Sequence, residues 1–306
     1  MGTSYSVKWG SSSNSLNIDQ LQINIEKRLK NINQLISTYD SDSQLSHFNQ
    51  SRETGWHAVD IELAKLIQIA LDICHKSDGA FDITVGPLIN LWGFGVNDTK
   101  FSLPTETELN ITKQNIGCQL LEVRLDPPAL NKHRVDLYVD LSAIGKGYAV
   151  DQLAKVLDEF QIENYLVEIG GELKAKGLAP HGDLWRVGIE APNFGRADIN
   201  EIISLDNAAI ATSGDYRNFI EHEGKHYSHV IDPRSGRPIE HSLTSVSVVD
   251  ESTTVADAWA TAFLVLGPNR ALEMAERYDL AIFMITRDRK NVKSTFNTTM
   301  KLHIAK

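Results

Sequence analysis

The stretch Val135–Val150, VDLYVDLSAIGKGYAV, constrains the fold most, because its hydrophobic period changes partway along. Val135, Leu137, Val139 and Leu141 alternate with Asp136, Tyr138 and Asp140, the pattern of a strand with one apolar face. From Ser142 the spacing turns helical, through Ala149, Leu153, Val156 and Leu157, and Ser142 has the chemistry of an N-cap. The pattern predicts a strand-to-helix corner with Asp140 at the strand end, a glycine-rich turn and Lys146 at the helix start. Free N–H groups and a positive helix end suit an anion, phosphate above all. An ordinary βα corner without a ligand has the same pattern.

Composition narrows the class. Forty acidic against thirty basic residues give a formal charge of -10, which argues against a general nucleic-acid surface. Cys74 sits in an apolar helical run and Cys118 follows a glycine, so both read as small buried hydrophobes. No CxxC or paired histidine makes either a metal ligand. No apolar run approaches a membrane span, and no cationic leader with an apolar core opens the chain.

The remaining pattern alternates helices and strands without repeat, low-complexity tract or linker, so one α+β domain over residues 1–306 is the expected architecture. Amphipathic spacing predicts helices from Ile18 to Ile36, over Ile61–Lys76, over roughly 143–160, over Ala256–Leu266 and over 269–278. Strands are expected at 4–9, 119–125, 165–169, 172–176, 185–190, 201–206, 208–212, 243–249 and 280–286, with a short terminal strand after these. The segment 80–95, AFDITVGPLINLWGFG, reads as a buried strand followed by a Pro-initiated helix, with Trp92 and Phe94 in the core. Asp82 beside Phe81 needs a partner, because a carboxylate among apolar residues is costly without one. His229 lies in a short strand-like run before an Asp-Pro turn, where a structural and a catalytic histidine are equally compatible with the pattern.

Asp257 and Thr261 are four residues apart on a predicted helix and share a face. A carboxylate and a hydroxyl are hard oxygen ligands that suit magnesium, which completes its shell with phosphate and water. The same two residues would equally serve as a first-turn cap and a back-bonded threonine. Together with the corner at 140–147, the Phe81-Asp82 element and His229, they make up the parts of a metal-assisted reaction at a nucleotide pyrophosphate. The corner is not a Walker A loop, since Gly147 and Tyr148 follow Lys146 where a Ser or Thr would be needed.

The chain resembles the ApbE family of FAD:protein FMN transferases over essentially its whole length. The matching motifs are MGTSYS at the start, STYDSDSQLSHFN at 37–49, DGAFDITVGPLINLWGFG at 78–95 and YVDLSAIGKGYAVD at 138–151. VEIGGE at 167–172, ATSGDYRN at 211–218, SHVIDPRSGRPIEH at 228–241 and ADAWATA at 256–262 follow in family order. The resemblance implies an α+β fold of the ApbE type and an enzyme that cleaves FAD with magnesium. FMN is then joined through its phosphate to a threonine or serine of an acceptor protein, and AMP is released. Flavin and nucleotide contacts are implied at Met1, Tyr39, Ala80, Phe81, Asp82, Asp140, Lys146 and Ile231. Magnesium is implied at Asp257, Thr261 and the backbone carbonyl of Ala143, with His229 as the base for the acceptor hydroxyl. Tyr39 or Phe81 is expected against a flavin or adenine ring.

One position departs from the pattern. Some family members carry an Asp directly before the metal-site threonine, where this chain has Ala260, so weaker magnesium binding without FAD is expected. An FAD pyrophosphatase giving FMN and AMP, and a flavin-binding protein without turnover, are the alternatives; Asp257, Thr261 and His229 argue against the second. The acceptors implied are flavoprotein subunits of Na+-translocating NADH:quinone oxidoreductase or of Rnf-type complexes. The resemblance also implies a periplasmic inner-membrane lipoprotein, although this chain carries no leader or lipobox cysteine.

Overall fold

The structure, a computed structural model, describes every residue except 1, 11–15, 96–100, 102, 192–198, 216–218, 289–290 and 306. Its elements begin with β1 (Tyr5–Trp9), α1 (Ile18–Ile36), α2 (Gln44–Gln50), β2 (Gly55–Ala58), α3 (Ile61–Lys76), α4 (Gly86–Leu91) and α5 (Glu106–Lys113). Next come β3 (Leu121–Leu125), β4 (Pro128–Lys132), α6 (Gly145–Glu159), β5 (Tyr165–Ile169), β6 (Glu172–Lys176), β7 (Trp185–Glu190), β8 (Ile199–Leu205) and β9 (Ala209–Gly214). The short strands β10 (Phe219–His222), β11 (Lys225–Ser228), β12 (Ile231–Asp232) and β13 (Arg237–Pro238) follow. The chain then runs through β14 (Leu243–Asp250), α7 (Thr253–Leu266), α8 (Pro268–Arg277), β15 (Ala281–Asp288), β16 (Asn291–Phe296) and α9 (Thr298–Lys301).

Contacts divide the chain into two compact units built from interleaved stretches. The first comprises Met1–Asn31, Ile144–Gly214 and Ser242–Lys306. It holds an antiparallel sheet in the order β1-β5-β6-β9-β14-β15-β16. Helix α7 lies against β9, β14 and α6, while α6 also packs on β5 and β6. The β7-β8 ribbon contributes Trp185, Val187 and Ile203 to a core with Ile210, Phe283 and Ile285 of the sheet. Strand β14 is buried at every residue from Leu243 to Val249, as a central strand covered on both faces should be.

The second unit comprises Ile32–Ala143 and Asp215–His241. Helix α3 packs on the antiparallel β2-β4-β3 sheet through an inward face that includes Leu63, Leu66, Ile67 and Ala70. Lys132, fully buried, donates to the carbonyls of Phe48, Asn49 and Ser51, closing the orphan end of α2; burial pushes its pKa down. Leu88, Trp92, Leu109, Ile116 and Ile231 form a second core.

The expected helices are present, with α3 at its predicted bounds, and so are the expected strands of the first unit. Four features differ. Residues 135–141 join no ladder; Leu137, Val139 and Leu141 are buried and Asp136 exposed as alternation predicts, but Val135 is exposed as well. The Asn49 side chain replaces a neighbouring strand there, donating to the Val139 carbonyl at 2.8 Å and accepting from its N–H at 2.8 Å. Ser142 does not cap α6, whose N-cap is Ile144 with no side-chain bond; its N–H and hydroxyl instead donate to Asp140. Residues 80–85 are turns and not a strand. Strands β2, β4 and β10 were not legible in the periodicity, whereas β11 falls at the start of the strand-like run before the Asp-Pro turn.

The cysteines are also corrected. Cys74 and Cys118 are buried as expected, but they are joined in a disulfide, with Cα atoms 6.5 Å apart. Their sequence separation of 44 gave no local signal; α3 and the turn before β3 bring them together. The cross-link ties the end of α3 to that turn, so replacing both cysteines by serine is expected to lower stability by about 2–4 kcal/mol. Thermal melts with and without dithiothreitol check this: reduction should lower Tm of the parent but not of the double variant.

Candidate active site

In the first unit, the site residues lie where α6 meets α7. Lys146 is the second residue of α6, and Asp257 and Thr261 lie one turn apart on α7. The Gly147 N–H donates to Asp257 Oδ2 at 2.9 Å, so this first-turn donor of α6 is committed to the carboxylate and not to a ligand. Gly147 is required there: a Cβ would stand 2.3 Å from the Thr253 carbonyl oxygen and 2.8 Å from Asp257 Cβ. Lys146 Nζ pairs closely with Glu172 and lies 4.0 Å from Asp257 Oδ1. Thr261 Oγ1 shares a hydrogen bond of 3.0 Å with Ser213 Oγ of β9.

Burial raises the Asp257 pKa, with Lys146 and the Gly147 N–H acting against that rise. Glu172 is 1 % exposed, and burial followed by the Asp257 charge pushes its pKa up to about 7 while Lys146 pulls it down. Its Oε2 is buried without a hydrogen-bond partner. The buried Asp257 carboxylate and the Thr261 hydroxyl, one turn apart, are hard-oxygen donors, a set that fits a magnesium ion.

Asp151, on α6, fixes the start of α7. Its carboxylate accepts from the Thr253 and Thr254 N–H groups, the Ser252 and Thr254 hydroxyls, and Lys174. Burial works against this charge, but Lys174 and the helix donors outweigh it and hold the pKa below its ordinary range.

In the second unit, Ala80, Phe81 and Asp82 follow α3, and Ser77 anchors them by accepting from the Phe81 N–H through Oγ. The partner that Asp82 needs is Thr84, whose N–H and hydroxyl donate to Oδ1 at 2.8 and 2.7 Å. Burial raises the Asp82 pKa, with the Thr84 and Cys118 donors acting against it. The Asp140 N–H donates to the Ile83 carbonyl at 2.7 Å, so Asp140 and the 80–83 segment are neighbours. Ala80 and Phe81 are buried at 1 % and 2 % exposure, whereas Tyr39 is 76 % exposed. Of the two rings expected against the flavin or adenine, only Tyr39 therefore offers a free face; it stands on a turn held by the Ser37 hydroxyl. Ala143 is half-buried in the turn after Asp140.

His229 follows β11, its ring edge-on to Phe94 with centroids 6.4 Å apart. Ile231 is buried in the Leu88–Trp92 core, so its side chain is structural and only its backbone remains for a ligand. The loop beyond is pinned by the two-pronged Arg234–Asp232 pair and by the Trp92 indole N–H on the Gly236 carbonyl. Met1 lies outside the described residues. Sequence reasoning missed Glu172, Asp151 and the packing role of Gly147. The Glu172 and Asp151 positions lie inside the quoted motifs, but neither spacing nor period reveals their partners.

The site thus sets two buried carboxylates beside a lysine at a helix start, within a mixed sheet-and-helix fold. The model of the ApbE family matches residues 1–284, and the chain belongs to that family. It is 40% identical to an FAD:protein FMN transferase of Vibrio cholerae over 306 residues, covering 100% of this chain and 91% of the relative. It is 41% identical to the FAD:protein FMN transferase of Escherichia coli K12 over 284 residues, 92% of this chain and 81% of the relative. Among solved structures, the flavin transferase ApbE of Vibrio cholerae matches with a TM-score of 0.91 at 39% identity, covering 99% of this chain and 96% of that one. The apo flavinyl transferase ApbE of Pseudomonas stutzeri matches with a TM-score of 0.91 at 38% identity, covering 99% and 94%.

Proposed function

We propose that the chain is a magnesium-dependent FAD:protein FMN transferase. It cleaves the pyrophosphate of FAD and joins the FMN phosphate to a threonine or serine hydroxyl of an acceptor protein. The observation that carries this reading is the buried Asp257 carboxylate, set beside Lys146 and one turn from Thr261, in a chain of the ApbE family.

Asp257 and Thr261 would hold the magnesium ion, which when bound neutralises charge gathering on the leaving phosphate oxygen. Lys146 supplies a point charge for the pyrophosphate. Tyr39 presents an aromatic face to a ring of FAD, and the Asp82 and Asp140 segments supply polar contacts to the nucleotide. A neutral hydroxyl is a weak nucleophile, so His229 takes its proton as the acceptor oxygen bonds to the FMN phosphorus. The bond from that phosphorus to the bridging oxygen breaks, and AMP leaves with the electron pair. The acceptors are flavoprotein subunits of sodium-pumping NADH:quinone oxidoreductase or Rnf-type complexes. The Cys74–Cys118 disulfide supports a periplasmic setting, since such bonds persist in oxidising compartments. A lipid anchor would place the enzyme at the inner membrane. No helix among the described residues is long and apolar enough to cross a membrane.

Incubation with FAD, magnesium and an acceptor subunit, followed by mass spectrometry, tests the reading. A gain of FMN mass on an acceptor threonine or serine is expected. Free FMN and AMP without an adduct would make the chain a pyrophosphatase, and unchanged FAD would leave a flavin-binding protein. His229→Ala should slow adduct formation by about 10²-fold while FAD affinity holds. A selective loss of FAD binding in that variant would reassign the histidine.

A further inference from the structure

Glu172 has no part in the mechanism above, yet it is the most deeply buried charge partner of Lys146. It opens β6, directly after the Gly170-Gly171 turn, and its side chain is 2 % exposed. One oxygen, Oε1, takes the Lys146 ammonium; the other, Oε2, has no partner. Gly170 adopts φ +60°, and a Cβ there would meet Thr3 at 2.9 Å before Lys146 Cδ at 3.3 Å. The same ammonium is 4.0 Å from Asp257 Oδ1, so of the two carboxylates it is in bonding contact with Glu172 and not with Asp257. Asp257 Oδ2 is occupied by the Gly147 N–H.

Distance decides what this does. An ammonium hydrogen-bonded to a carboxylate oxygen occupies the lone pair a divalent cation would use, whereas one held at 4.0 Å leaves that oxygen accessible and only weakens the attraction. An ion pair serving stability alone would be an odd use of a buried carboxylate, since desolvation offsets the attraction and Oε2 is left unsatisfied.

We propose that Glu172 is a positioning residue that draws the Lys146 ammonium off Asp257, leaving Oδ1 open to the divalent cation. The inference rests on the reading that Asp257 holds magnesium. Without the Glu172 charge, Lys146 settles on Asp257 and opposes metal binding. With the lysine charge also removed, the opposition disappears.

Mn2+ alone serves as the probe, because it takes the same hard oxygen ligands and its free signal is read directly by electron paramagnetic resonance. The full chain is compared with Asp257→Ala, Glu172→Gln, Lys146→Met and the Lys146→Met/Glu172→Gln double variant, with a thermal melt of each. Glu172→Gln is expected to weaken Mn2+ binding about tenfold with Tm no lower than the parent. The double variant is expected to bind as Lys146→Met does. Unchanged Mn2+ binding in Glu172→Gln, with or without a fall in Tm, would overturn the inference. So would a double variant that binds as weakly as Glu172→Gln, because the loss would not then run through Lys146. These failures are distinct from failure of the magnesium reading itself, which equal binding by the parent and Asp257→Ala would mark.

Discussion

Asp257→Asn is expected to fold as the parent does and to release AMP from FAD at least about 10³-fold more slowly. The amide keeps the size of the carboxylate, and its oxygen can still accept the Gly147 N–H, so the contact between α6 and α7 survives. What disappears is the negative charge. Asp257 is buried at 2 % exposure, and that burial raises its pKa, so ionising it for a metal carries a desolvation cost. Neutral asparagine removes that cost, so Tm should not fall. The rate should fall steeply, because a neutral oxygen binds magnesium poorly. Chromatography of AMP released at several magnesium concentrations measures the effect, and chelation of the parent with EDTA should reproduce the loss. Full activity in Asp257→Asn would rule out the metal assignment, whereas a lowered Tm with proportionate activity would make Asp257 a structural group of the helix contact.

Much of the fold was legible in the sequence because the helices and central strands bury one face or both. Ile61–Lys76 appears at its predicted bounds because its apolar stripe is strong, and the structure adds an Asp60 cap at one end and positive φ at Asp78 and Gly79 beyond the other. The segment 135–141 shows the limit of that logic. Its alternation reported the burial of Leu137, Val139 and Leu141 but not the exposure of Val135, and burial does not specify a hydrogen-bond partner, which is the amide of Asn49 rather than a strand. The disulfide was illegible for a related reason: each cysteine looked like a buried apolar residue, and only α3 packing on the sheet brings the sulfurs together.

The site divides the same way. Asp257 and Thr261 share a helix face by spacing alone, and Lys146 was correctly placed at the start of α6. Family motifs pointed to Asp82, Asp140 and His229. Of the two rings offered for the flavin or adenine, Tyr39 or Phe81, burial leaves only Tyr39 with an open face, since a motif carries residue identity without the orientation of the side chain. Glu172 and Asp151 act through residues distant in sequence, Glu172 on Lys146 and Asp151 on the first turn of α7. Those pairings arise only when α6 packs on β6 and on α7.

Gly147→Ala reverses a rule that the sequence alone would have suggested. Alanine within a helix is worth roughly 1 kcal/mol over glycine, so the substitution in α6 would ordinarily stabilise. Here the added Cβ would stand 2.3 Å from the Thr253 carbonyl oxygen, 2.7 Å from its carbon and 2.8 Å from Asp257 Cβ. Two of these are backbone atoms at the start of α7, where Asp151 already fixes the first turn, so the neighbour has little freedom to yield. Overpacking of this kind costs about 1–3 kcal/mol, enough to outweigh the gain in propensity. The strain falls on the contact that aims Asp257, and a displacement of about 1 Å at a reacting centre costs on the order of 10²-fold in rate. The expected result is a lower Tm together with a loss of AMP release of at least that order. Thermal melts and the AMP assay on one preparation read both quantities. A raised Tm with retained turnover would mean that α6 and α7 do not approach as closely as the glycine implies, and would remove the geometric basis for the link between Gly147 and Asp257.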